Sequence, residues 1–163
     1  MKNLITCLTL SLLSGATFAT TWTVDDDGKA DFNNIEAAVN WASDGDEIIV
    51  YPGTYTGPDP KVVDMLGKAV WLHSSDGAGV TFVQGNQDCR GIVCISGETN
   101  KTVIEGLTIT GGRSASDGGG FYCKDSDPTI TNCIFTGNSV WYRGGGMYMD
   151  SSSPTLIGCA FSG

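Results

Sequence analysis

Five charged residues in the second half of the chain have types and spacings that could do acid–base chemistry or hold a cation: Asp117, Asp125, Asp127, Arg143 and Asp150. Carboxylates brought side by side can share a calcium ion or divide the acid and base roles of glycosidic-bond cleavage, and a guanidinium can face an anionic sugar. The spacing of Asp117 and Arg143, which recurs through this half of the chain, places one over the other and predicts an ion pair between them. Asp127 precedes Pro128, and Asp125 lies two before it, in a stretch where aspartate is also ordinary turn chemistry. Solvated turns and a surface ion pair worth at most about 1 kcal/mol account for the same residues without a reaction.

Other residues offer binding chemistry. Asp25-Asp26-Asp27-Gly28 is rich in oxygen, and Asp25 and Asp27 are candidate calcium ligands, but no spaced ligand loop with a closing Glu follows. The same run fits a turn. Trp141 and Tyr142, with Tyr122 and Tyr148, can present rings to sugar faces or roof a core at a turn. His73 alternates with Leu72 and Val70 on a strand pattern and has no second His or Cys partner for a metal. The same recurring spacing brings Cys133 and Cys159 within disulfide reach, but in-register stacking favours a column of buried thiols. Cys89 and Cys94 flank Arg90-Gly91-Ile92-Val93 and are candidates to close a short loop in an oxidising compartment. None of these spacings is zinc-like.

The elements that hold these residues come from a repeat. Gly118–Gly137 (GGGFYCKDSDPTITNCIFTG) against Gly144–Gly163 (GGGMYMDSSSPTLIGCAFSG) matches at 10 of 20 positions without a gap, a period of 26. One period upstream, Ile104, Leu107 and Ile109 fall on Ile130, Cys133 and Phe135. Periods of roughly 20 to 50 residues mean stacked units that cannot bury an apolar face alone. Leucine-rich repeats need a Leu scaffold that is absent, and the calcium-binding nonapeptide pattern does not occur. Short β-type runs between Gly, Asn and Asp-Pro or Ser-Pro turns leave a parallel β-helix. Its inward columns are Ile104/Ile130/Leu156, Leu107/Cys133/Cys159 and Ile109/Phe135/Phe161. Upstream, Asn33 as N-cap and Glu36 at the third helical position form a capping box. It opens an amphipathic helix with Ile35, Ala38, Val39 and Ala42 on one face, ending near Gly45. Strands are expected at Asp46–Tyr51 and Lys68–His73, with a turn at Pro52-Gly53. Such a helix would cover the otherwise aggregation-prone end of the coil stack.

Charge and length set the remaining bounds. The chain has 163 residues, 9 Lys and Arg against 18 Asp and Glu, and a formal net charge of −9. It lacks the basic footprint that binding nucleic acid or anionic lipid requires. Residues 1–19, with Lys2, an apolar run from Leu4 to Leu13 and the small residues Thr17 and Ala19 before the break, read as a secretory signal peptide cleaved after Ala19. No run is long enough to span a bilayer. The organisation is then signal peptide 1–19, cap helix and first coil 20–66, and coils 67–163, with clear 26-residue repeats from about 103. The last unit stops before a cover, so the array is expected to be a fragment of a longer protein, its edge covered by downstream coils or by another copy.

The run from Asp31-Phe32 through Ala38, followed by Asp44-Gly-Asp-Glu-Ile-Ile-Val-Tyr-Pro-Gly53-Thr-Tyr55, resembles the opening segment of right-handed parallel β-helix proteins of the pectin lyase-like superfamily. The GGG, Asp/Ser-Pro-Thr and Cys-x-Phe-Thr/Ser-Gly units are similar to repeats of secreted β-helix proteins and polymorphic outer-membrane adhesins. The resemblance covers nearly all of residues 22–163. It implies an all-β, right-handed parallel β-helix solenoid with a short N-terminal capping helix. For function it implies either a binding or structural surface protein or the N-terminal part of a pectate lyase-like or polygalacturonase-like enzyme whose catalytic coils lie downstream. Pectin methylesterases share part of the opening motif at Gly53–Gly57, and Gln87-Asp88 is similar to their catalytic Gln-Asp, but no Arg-Pro-Trp follows. The expected partner is a polysaccharide or cell-surface glycan, with calcium the only cofactor that the residues suggest.

Overall fold

The computed structural model describes residues 19–57, 60–86 and 89–163. The signal-type segment, except for Ala19, and the Gln87-Asp88 pair lie outside the described residues. The chain winds into about five coils of parallel β-structure, each coil passing through three sheets in turn. The first sheet stacks Thr21–Val24, Glu47–Val50, Trp71–Ser74, Val103–Glu105, Thr129–Thr131 and Thr155–Ile157. The second stacks Gly53–Tyr55, Thr81–Gln84, Thr108–Thr110, Ile134–Thr136 and Ala160–Ser162, and the third Lys61–Asp64, Arg90–Cys94, Phe121–Lys124 and Met147–Asp150. Arg113–Ser114 and Ser139–Val140 form a small arm between the second and third sheets in the last full coils.

The register confirms the stacking. Ile104, Ile130 and Leu156 lie directly above one another, as do Ile109, Phe135 and Phe161. The Phe135 and Phe161 rings stack with centroids 4.7 Å apart at 8°, near the spacing of adjacent strands. The inner columns run on through Leu72 and Ile48 in the first sheet and Val83 and Tyr55 in the second. Before Val103 the coils differ in length: Ile48 pairs with Leu72 and Leu72 with Ile104, the second step being the longer.

The turns explain the period. Left-handed backbone recurs at Gly106, Asn132 and Gly158 between the first two sheets, and at Asp125 and Ser151 between the third and the first. Glycine, asparagine and aspartate tolerate this region best. The triple glycine answers a second demand. A Cβ on Gly120 would lie 2.5 Å from the Gly146 carbonyl oxygen and 2.7 Å from Asn138 Nδ2. Asn138 there joins two coils, accepting from the Gly112 N–H and donating to the Ile109 carbonyl.

One helix, Ile35–Trp41, covers the start of the stack and buries Ile35, Ala38 and Val39. Its N-cap is Asn34 rather than Asn33: the Asn34 side chain accepts from the Ala37 N–H at 2.8 Å. Glu36 is thereby displaced from the capping-box position and instead accepts from the Asp64 N–H at 2.7 Å, tying the helix to the third sheet. The helix also ends at Trp41, ahead of Gly45, where the Lys68 ammonium from the next coil donates to the carbonyls of Val39, Asn40 and Ala42 at 2.6 to 2.7 Å. A cation on these terminal carbonyls meets the negative end of the helix dipole. The strands expected at 46–51 and 68–73 are Glu47–Val50 and Trp71–Ser74, and Gly53 begins a strand rather than completing a turn.

Candidate functional site

The four aromatic candidates lie on and beside the third sheet. Tyr122 and Tyr148 are register partners on its outer face, their rings stacked 5.7 Å apart at 14°. The Arg90 guanidinium lies 4.9 Å over Tyr122. Arg90 is held by the carbonyls of Asp117 and Gly118 and by Ser116 Oγ, so the cation is fixed on the ring. Trp141 and Tyr142 occupy the turn leading into the Tyr148 strand and are 74% and 76% exposed. They do not roof the core. Backbone packing fixes the tyrosine pair, since Gly118 and Gly144 are both left-handed and leave no room for a Cβ against Tyr122 and Tyr148.

The charged candidates fall into two groups. Asp117 and Arg143 precede the third-sheet strands, whereas Asp125, Asp127 and Asp150 end or follow them. The length of one strand, about 13 Å, separates the arginine from the second group. Asp117 and Arg143 do belong to neighbouring coils, the Arg143 carbonyl accepting from the Gly118 N–H. The expected ion pair does not form. Among the described residues the Lys and Arg ion pairs are Lys29–Asp27, Lys61–Asp64 and Lys124–Asp150. Arg143 is exposed, whereas Asp117 Oδ1 is buried with no hydrogen bond. Backbone adjacency fixed the residues' positions but not the directions of their side chains. Asp127 Oδ1 accepts from the Ser153 N–H at 2.5 Å, Asp125 is a left-handed turn residue, and Asp150 lies 3.9 Å from Lys124.

At the other end, Asp25 Oδ1 accepts from the Asp27 N–H at 3.2 Å, Asp27 pairs with Lys29, and Asp26 accepts from the Thr54 N–H. Hydrogen bonding to Lys29 holds the Asp27 carboxyl below the usual aspartate value. Among the described residues no group of three or more His, Cys, Asp or Glu side chains is placed to hold a metal ion.

Two arrangements have no counterpart in the sequence reasoning. On the outer face of the first sheet Trp71 stacks on His73 at 4.1 Å, donates to Glu105 Oε2 at 3.0 Å, and lines an open groove of about 850 Å³ with Asp44, Glu47 and Lys101. His73 Nε2 lies 3.0 Å from Glu47 Oε1. At the turn between the third and first sheets the buried Glu98 carboxylate accepts from the N–H groups of Gly67 and Ser96 and from Ser126 Oγ, joining three successive coils. The varying coil length upstream conceals both sets from a reading that assumes one period.

Cys94, Cys123, Cys133 and Cys159 are free thiols. Cys133 is buried in its column, and burial pushes its thiol up to about 12. Burial also raises Cys94 and Cys123, which are register partners in the third sheet. Thiols so shifted stay protonated and inert. Cys89 does not close a loop with Cys94, because the extended strand Arg90–Cys94 holds them about 16 Å apart.

The fold now has a family. A sequence model of right-handed β-helix regions matches residues 68–163, and the chain belongs to that family. No curated protein matches the sequence. No helix among the described residues is long and apolar enough to cross a membrane.

Proposed function

We propose that the protein is a secreted or cell-surface β-helix that acts as a binding scaffold, taking up polysaccharide or cell-surface glycan on the outer strip of Tyr122, Tyr148, Trp141 and Tyr142. The supporting observation is the exposure of Trp141 and Tyr142 beside a fixed tyrosine stack topped by Arg90. The stacked tyrosine rings, held in place, give flat apolar area at low entropic cost, and the two exposed rings extend it, which suits the C–H faces of sugars. The net charge of −9 favours neutral or cationic glycans over polyuronates, which it would repel unless calcium bridged the two. Leu156, Ile157 and Phe161 are exposed on the last described coil. In the same reading, further coils or another copy cover that edge.

The test is a glycan array probed with the secreted protein and with Trp141→Ala/Tyr142→Ala, followed by incubation with polyuronates with and without calcium. Binding that the double variant loses at unchanged melting temperature supports the scaffold. Unsaturated ends or reducing sugar released at enzyme-like rates would replace it with a polysaccharide-cleaving function.

A further inference from the structure

We infer that hydrolysis of the Ala19–Thr20 peptide bond creates an ion pair that belongs to the mature fold: the new α-ammonium of Thr20 on the carboxylate of Asp46. The inference rests on the secreted reading above. Water adds across the amide under a signal peptidase, the C–N bond breaks, Ala19 leaves as a carboxylate, and the Thr20 nitrogen takes up a proton at neutral pH.

The geometry is already in place. Thr20 N lies 2.8 Å from Asp46 Oδ1, and the Thr20 carbonyl accepts from the Glu47 N–H at 2.9 Å, so the residue is held on both sides. Ala19 and Thr20 are exposed and precede the first strand, so the bond lies outside regular structure. Asp46 is 6% exposed. Its Oδ2 accepts from the Ser43 N–H at 2.9 Å and from Trp22 Nε1 at 3.0 Å, while Oδ1 faces Thr20. Before cleavage that carboxylate oxygen accepts from a neutral amide; afterwards it faces a full opposite charge, and the Coulomb attraction of an ion pair is added to the hydrogen bond.

The charged groups around the new terminus are Asp44, Asp46 and Glu47 on one side of the balance and Lys68 and Lys101 on the other. Ala19 lines the Trp71 groove beside them, so cleavage also uncovers that end of the groove. Processing thereby tightens the start of the first strand, next to the helix that covers the stack.

The test compares three chains: the natural secreted protein, a chain released with Thr20 at its terminus, and the same chain N-acetylated. Mass spectrometry of the first locates the natural cleavage. Thermal unfolding of the other two, followed by tryptophan fluorescence, reads the pair. An amine whose pKa is raised in the folded state stabilises below its unfolded value, near about 8, and loses that stabilisation as pH rises through the folded value. The free chain should exceed the acetylated one by about fivefold in folding equilibrium at pH 7, or about 3 °C, and the difference should vanish by about pH 10. A natural start at Thr20 with no acetylation effect overturns the ion pair and leaves secretion standing. A natural start at any other residue overturns the ion pair, and a chain retained in the cell with Met1 still at its terminus overturns the secreted reading as well.

Discussion

From Val103 onward a constant period of 26 separates each strand from the strand beneath it, whereas upstream the spacing changes from coil to coil within the same three sheets. Downstream coils are copies, and like residues stack into columns: Ile on Ile, Phe on Phe, Gly on Gly. Upstream the strands keep their register while the turns change length, and those turns carry the charged anchors Lys68, Asp46 and Glu98. Extra loop length costs little, since each doubling adds only about 0.6 kcal/mol of closure entropy. The contrast is between a region held by repeated apolar columns and one held by individual polar ties.

The largest effect should come from the column itself. Phe135 is buried between Phe121, edge-on at 6.3 Å, and Phe161. Phe135→Ala should cost about 4 kcal/mol in denaturant unfolding. Phe161, one coil on and 50% exposed, should cost under about 1.5 kcal/mol on the same change. Equal losses would mean that burial along the column does not decide its stability.

Next comes the close approach of the repeated glycines. Gly120→Ala drives a Cβ onto the Gly146 carbonyl oxygen and should cost about 2 to 3 kcal/mol. Gly79, upstream, would place its Cβ with no heavy atom within 4 Å. Gly79→Ala should be neutral or stabilise by about 0.5 kcal/mol through the unfolded chain. Paired thermal melts of the two variants read the difference directly.

Lys68→Met tests the polar ties. It leaves three helix-end carbonyls without the ammonium and should cost about 2 kcal/mol. Hydrogen exchange should show the loss concentrated in Ile35–Trp41, with the coils beyond Val103 unchanged. A uniform loss would show that cover and coils unfold as one unit.

The sequence showed the downstream columns because the period is constant there, so Ile130 and Phe135 were placed correctly from spacing alone. It missed the Cys94–Cys123 pairing, where the coil is longer than the repeat, and the Trp71–His73–Glu105 face for the same reason. The helix cap moved by one position because Asn33 and Asn34 are equally competent caps, and only packing chose between them. At the candidate site the Tyr122–Tyr148 stack was legible as a rung, since outward residues on adjacent strands must meet. The Asp117–Arg143 pair was not, because long side chains choose their own direction. Arg90 escaped notice because its partners are mostly backbone carbonyls, which carry no sequence signature.

The smallest effect separates two carboxylates within the N-terminal cover. Burial pushes the Asp46 carboxyl up, but the N–H donors of Ser43, Thr20 and Trp22, with the Lys68 charge, outweigh it and hold the group below its ordinary 3.8. Its stabilisation is present above that ordinary value and is lost as pH falls through the lowered one. Glu36 behaves oppositely: burial raises it above 4.5 despite the Asp64 N–H, so protonation there relieves a cost and stability rises slightly as acid is added. Acidification from pH 7 should therefore first raise the melting temperature of the cover by a small margin and then lower it. Glu36→Gln should abolish the early rise, and Asp46→Asn should flatten the later fall. A melting curve that falls steadily from pH 6 in both variants would place the acid sensitivity elsewhere, outside the cover.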